Sequence, residues 1–159
     1  MNSTRLIAAL VLVVTAASPP LSAYGAGTET TVPSPAASLD YAAGKAAVEG
    51  QDWATAVRRL SAAVRADPAN ADAENLLGFA YRKSGDYDEA RKHYGKALKL
   101  DPDHRGAREY LGEAFLELKN LAKAEEQLAE LVRLCPSGCE ERQDLEQAIG
   151  AYRKANPGG

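Results

Sequence analysis

The chain has little of what most chemistries need. It holds two cysteines, two histidines, one tryptophan and one methionine in 159 residues. Two thiols are too few for a metal cage. His93 and His104 stand far from Cys135 and Cys139 and complete no recognised ligand spacing, so both histidines are read as surface residues. There is no excess of basic charge: Lys and Arg total 19 against 22 Asp and Glu, a formal net charge of -3. A chain that must neutralise nucleic-acid phosphates needs a basic stripe, so nucleic acid is excluded as a partner. No phosphate loop, metalloprotease spacing or assembled nucleophile–base–acid set is visible, which points away from an enzyme and implies no cofactor. Charged residues make up 26% and hydrophobic residues 45%, a globular composition.

Long hydrophobic runs are also missing. The one apolar stretch, Leu6 to Ala17, follows Arg5 and stops before Pro19 and Pro20. A bilayer-spanning helix needs about 20 apolar residues. A positive start, a short apolar core and small residues at Ser22 and Ala23 have the layout of a cleaved export signal. Residues 1–23 are therefore expected to be a signal peptide, with no stable membrane insertion after cleavage and a periplasmic or secreted destination. Residues 24–36, rich in Gly, Ala, Thr, Pro and Ser, are expected to form a flexible leader, and 156–159 a disordered tail.

What the chain does have is a period. Pro68, Pro102 and Pro136 are 34 residues apart, as are Gly44, Gly78 and Gly112. Ala56, Ala90 and Ala124 keep the same step, as do Leu60, Tyr94 and Leu128, and Ala47, Tyr81 and Phe115. Self-similarity at a fixed period is the mark of a repeat architecture. Each unit reads as two helices. In the second unit Leu76, Leu77, Ala80 and Tyr81 form one stripe at helical spacing, and Tyr87, Ala90, Tyr94, Ala97 and Leu98 another. Between them Gly85 suits a left-handed helix end, and Asp86 with Glu89 suits a capping box. Pro102 closes the unit and is placed to start the next element. Small Gly78 and Ala90 beside large Tyr81 and Tyr94 allow two helix backbones to approach. Beyond the third unit, Leu145, Ala148, Ile149 and Tyr152 mark a terminal helix that covers the last apolar face.

On these residues the chain resembles the tetratricopeptide repeat family. Leu77-Gly78, Tyr81, Ala90, Tyr94, Ala97 and Pro102 match its signature nearly in full. The third unit matches through Leu111-Gly112, Phe115, Ala124, Leu128 and Pro136. The first unit is looser: Ala43-Gly44, Ala47, Trp53, Ala56, Leu60, Ala63 and Pro68, with Trp53 expected to fill the crevice at its helix junction. The implied fold is all-α: a right-handed superhelical stack of antiparallel helix pairs. It comprises three repeats at about 37–70, 71–104 and 105–138 and a capping helix at 140–154, together a domain over 37–155.

The resemblance also implies a groove lined by the first helix of each pair. By phase it takes in Tyr41, Lys45, Val48 and Glu49, then Asp72, Asn75, Phe79, Arg82 and Lys83, then Glu109, Glu113, Leu116 and Glu117. Tyr41, Phe79 and Leu116 would be large apolar groups outside the packed core. The three glutamates, four residues apart, share one helix face, either as a solvated surface or as a match for a basic partner segment. Asn75, Arg82 and Lys83 are similar to part of the family's basic clamp for a peptide carboxylate. The glutamates of the third unit depart from that clamp and argue against chaperone-tail recognition. The expected function is an exported scaffold that binds a protein or peptide, an adaptor in an envelope assembly. A self-associating structural module, a homo-oligomer, stays open, as does a thiol or metal protein.

Cys135-Pro136-Ser137-Gly138-Cys139 falls at the junction with the capping helix, where Pro136 and Gly138 favour a bend. A structural disulfide is the preferred reading. A redox-active pair, a metal-binding pair and two buried reduced thiols remain alternatives.

Overall fold

The computed structural model describes residues 34–157. The expected signal peptide, most of the expected leader and the last two residues lie outside them. Seven helices occupy the described residues: α1 (Pro35–Glu49), α2 (Trp53–Ala66), α3 (Ala71–Lys83), α4 (Tyr87–Leu100), α5 (Arg105–Glu117), α6 (Leu121–Leu134) and α7 (Glu140–Ala155). α1 with α2, α3 with α4 and α5 with α6 form antiparallel pairs, and α7 follows as the cap. The fold is the three-repeat, all-α stack that the period implies. None of the seven is long and apolar enough to cross a membrane.

The boundaries are set by local chemistry that recurs with the period. Asp52, Asp86 and Asn120 each begin the second helix of a pair, their side chains accepting from the N–H of Thr55, Glu89 and Lys123. Asn70 caps α3 in the same way, and Ser34 caps α1. Such caps each contribute about 1 kcal/mol. Ser34 with Pro35 in the first turn starts α1 two residues inside the segment expected to be leader. At the other end Asn156, expected to be tail, bonds back to the Tyr152 carbonyl through its backbone N–H and its Nδ2.

The tight turns inside each pair share one geometry. The N–H groups of Asp52, Asp86 and Asn120 donate to the carbonyls of Ala47, Tyr81 and Phe115. This requires a left-handed residue just before the cap: Gln51 at φ 57°, Gly85 at 85° and Lys119 at 57°. Only the second repeat has glycine there, so Gln51 and Lys119 carry the steric cost of that backbone. The capping box at Asp86 is half-made. Asp86 accepts from Glu89, but the Glu89 carboxylate bonds Lys92, and the Asp86 N–H is already used by Tyr81. Pro102 does not start a helix either. It lies in the turn, and His104 caps α5 with Nδ1 accepting from the Ala107 N–H.

Burial explains the periodic small residues. A Cβ on Gly44 would stand 2.6 Å from Leu60, and one on Gly78 2.8 Å from the ring of Tyr94. Leu60 and Tyr94 are fully buried, so only glycine lets these helix pairs close. One core cluster joins Ala56, Leu60, Leu77 and Ala80, and a second runs from Ala90 and Tyr94 to Leu145 and Ile149. Tyr81 packs against both, so they are continuous through the middle repeat. Cys135 and Cys139 are joined by a disulfide, their Cα atoms 5.9 Å apart, which leaves no free thiol for a metal-binding or reduced pair.

Candidate functional site

The first helices of the repeats present one surface, and aromatic side chains run across it. Phe79 of α3 meets Trp53 of α2 edge-on at 6.1 Å between ring centroids and Tyr110 of α5 at 4.8 Å. Tyr110 in turn lies 6.2 Å from Tyr94. Trp53 therefore supports Phe79 of the next repeat. All three surface rings are half-buried. The Arg82 guanidinium lies 5.4 Å from the Phe79 ring and 5.7 Å from that of Tyr110, and the Lys83 ammonium 5.4 Å from Phe79. A cation over a ring face is held by the ring quadrupole.

Arg82 also reaches Glu113 at 2.5 Å. Its side chain is only 10% exposed, and its Nε has no partner. Lys83 is exposed, and among the described residues it makes no ion pair, nor does Lys45. Of the first-repeat positions, Tyr41 and Val48 are half-buried against the α1–α3 core, while Glu49 is exposed. Burial and the nearby Asp72 hold the Tyr41 hydroxyl above the usual phenol range. Asp72 is exposed and bonds His104 Nε2 at 3.1 Å.

The third repeat departs from the expectation. Leu116 was expected to face the groove, but it is 9% exposed and belongs to the core. The glutamates do not form one solvated face: Glu109 is 8% exposed, Glu113 is paired to Arg82, and only Glu117 is exposed. The cause is α7. Beyond covering α6, it packs more extensively on α5, bringing Ala148 and Tyr152 beside Arg82, Glu113, Leu116 and Glu117 around a recess of about 220 Å³. Within the expected groove, the large apolar side chains that keep partial exposure are therefore Tyr41 and Val48 of α1, Phe79 of α3 and Tyr110 of α5.

Asn75 is the other departure, with 7% exposure and an Oδ1 lacking a partner. Burial, then the like charges of Glu113, Asp144 and Glu141, push the Glu109 carboxyl up to about 8. The histidines are not surface residues. His93 is 11% exposed, bonds Glu74 at 2.5 Å and stacks on Tyr81, and His104 is 13% exposed. Neither ring is bonded to a Ser, Thr or Cys among the described residues, and no three His, Cys, Asp or Glu groups there converge to hold a metal ion.

Tyr110 was missed in the sequence. It is the counterpart of Leu76, one position before the repeated Leu-Gly pair, and reads there as one more core residue.

Family comparison matches residues 77–138 to one description of the tetratricopeptide repeat and 47–93 to another. No curated protein matches the chain. Several solved structures share the fold. The TPR domain of Arabidopsis OM64 is 21% identical, with a TM-score of 0.68 over 74% of this chain and 96% of that one. The Sgt2 TPR domain from Aspergillus fumigatus is 23% identical, with a TM-score of 0.70 over 83% and 89%. The Yersinia enterocolitica type III secretion chaperone SycD, in complex with a peptide of the translocator YopD, is 19% identical, with a TM-score of 0.64 over 74% and 89%. At these identities the likeness is one of fold.

Proposed function

The chain belongs to the tetratricopeptide repeat family, and on that premise we propose that it is an exported, non-catalytic scaffold that holds a partner polypeptide against its α1–α3–α5 surface. The observation that carries this reading is the Phe79–Tyr110 pair. Two aromatic rings in contact stay partly exposed beside an exposed Lys83, although Tyr110 also packs on the core of the last two repeats. Such a patch combines large contact area at low entropic cost with a polar rim, the anatomy of a recognition hot spot. The fold of SycD, solved with a translocator peptide, is consistent with this use of the stack. Export rests on the sequence layout of residues 1–23, and the Cys135–Cys139 disulfide agrees with an oxidising compartment. An adaptor role in an envelope assembly is part of the same proposal.

The test is capture from an envelope extract with the processed protein against its Phe79→Ala variant, with the intact mass defining the processed N-terminus. A partner retained by the parent and lost by the variant supports the reading; equal retention removes the aromatic patch from the site. A second reading, self-association, is favoured by Leu39 on α1, which is 72% exposed. Sedimentation across concentrations separates the two, since a species that stays monomeric rejects self-association.

A further inference from the structure

A second recess, of about 270 Å³, opens between α3, α5 and the start of α7. Its wall is acidic: Glu109 from α5 and Glu140, Glu141 and Asp144 from α7. Glu140 and Glu141 also complement the positive N-terminal end of α7, which accounts for them as structure. Asn75 and Glu109 have no such account. Both are more than nine-tenths buried, and both line the recess. The Asn75 Oδ1 lacks any partner, and Glu109 makes no hydrogen bond or ion pair among the described residues. Buried polar groups are almost always satisfied, because leaving one unmade costs about 1–3 kcal/mol. The neighbouring cations are already paired, Arg82 with Glu113 and Arg105 with Glu141 of the wall at 3.6 Å, and neither bonds Glu109. Gly106 lines the recess beside the Asn75 amide nitrogen, which a Cβ there would meet in ordinary contact at 3.5 Å.

We propose that this recess receives the ammonium or guanidinium of a lysine or arginine side chain, with the Glu109 carboxylate accepting its N–H groups and Asp144 and Glu141 supplying the field. A buried carboxylate beside further carboxylates offers acceptors and negative charge, which selects a cationic donor and rejects an anion. The donors do not converge as a metal site does, so an organic cation with dispersed N–H groups fits better. That the side chain belongs to a partner polypeptide rests on the function proposed above; the chemistry of the recess does not.

The charged groups facing Glu109 are Glu113 on its own helix, Arg82 on α3, and Asp144 and Glu141 on α7; Arg82 alone favours its ionised form. An entering cation adds to that side, so binding releases a proton and tightens as pH rises.

The experiment is an NMR titration of the disulfide-bonded protein with Nα-acetyl-lysine methylamide and Nα-acetyl-arginine methylamide. The norleucine and glutamate analogues and magnesium chloride are the controls. The basic compounds should give saturable shifts centred on the Asn75 side-chain amide, Gly106 and Tyr110, and the controls should not. Glu109→Gln should weaken binding about tenfold, and Asp144→Asn, on the exposed rim, about twofold. Asp144→Asn keeps the test valid if Glu109→Gln disturbs folding. Norleucine or glutamate shifting the same resonances equally, or unchanged affinity in both variants, would overturn the assignment, and so would binding of magnesium in preference to the organic cations. None of these outcomes bears on whether Phe79 holds a partner, which the capture experiment reads separately.

Discussion

Gly112 of α5 packs directly on Leu145 of α7: a Cβ at position 112 would stand 2.6 Å from a Leu145 methyl carbon. In the first two repeats the equivalent glycine faces a residue of its own pair, Leu60 for Gly44 and Tyr94 for Gly78. In the third, the capping helix takes that place instead of Leu128. This exchange draws α7 onto α5, buries Leu116 and narrows the groove at its C-terminal end.

The glycine contacts predict opposite signs for one substitution. Gly78→Ala should destabilise the protein by about 1–3 kcal/mol, because the new methyl group meets a buried ring and the Ala90 carbonyl at 3.1 Å. Gly95→Ala, in α4 with nothing within 4 Å of its would-be Cβ, should stabilise by about 0.5–1 kcal/mol. Urea denaturation of both variants checks the pair, and a Gly78→Ala midpoint at or above the parent's would contradict the close contact.

Lys119 occupies the left-handed position that Gly85 fills in the middle repeat. Lys119→Gly should stabilise by about 1 kcal/mol through relief of that backbone, with the same expected of Gln51→Gly. Thermal melts read the effect, and a lower melting temperature in both would show that glycine's unfolded-state entropy outweighs the strain.

Glu109 makes stability depend on pH. Its folded value, near 8, lies above the 4.5 of the unfolded chain, so the folded state binds the proton more tightly. Its contribution is present below about 4.5 and is lost as pH rises toward 8. Glu109→Gln should remove that decline: the gain of the variant over the parent should grow from pH 5 to pH 8. Melting curves of both across this range decide it, and a constant difference would mean that Glu109 is ionised throughout.

Reducing the Cys135–Cys139 disulfide opens a short loop, four residues in sequence separation. The chain-entropy cost is about 2 kcal/mol. The cap should nonetheless stay docked, because Leu145 and Ile149 are buried in the core. Denaturation with and without reductant measures the first expectation, and hydrogen exchange in α7 the second; loss of α7 protection under native conditions would make the disulfide the main tether.

Phe79→Ala should lower partner affinity and also cost about 1–2 kcal/mol of stability, since most of a large apolar side chain is already withdrawn from water. Titration of the captured partner against a variant whose folded fraction is known from its melt separates the two effects.

The glycines and prolines of each unit, the Asp86 cap and the buried Tyr94 were legible because they follow from spacing and from local backbone demands that repeat every 34 residues. His104 as a cap was not legible, since a histidine acceptor looks like any surface polar residue until its Nδ1 is seen to face the Ala107 N–H. Tyr110 was hidden for a related reason: its period partner, Leu76, is a residue that simply packs.

The sequence by itself determined the helix pairs, their turns and the close contacts of the first two repeats, because each depends on residues a few turns apart or in adjoining helices. Only the tertiary structure decided how the last helix sits. α7 has no successor to hold it in register, so its position depends on which surface it fills best, and Leu145 fills the space over Gly112. That choice separated Leu116 and Glu109 from solvent, left Phe79 and Tyr110 as the open aromatic surface, and formed the acidic recess beside Asn75.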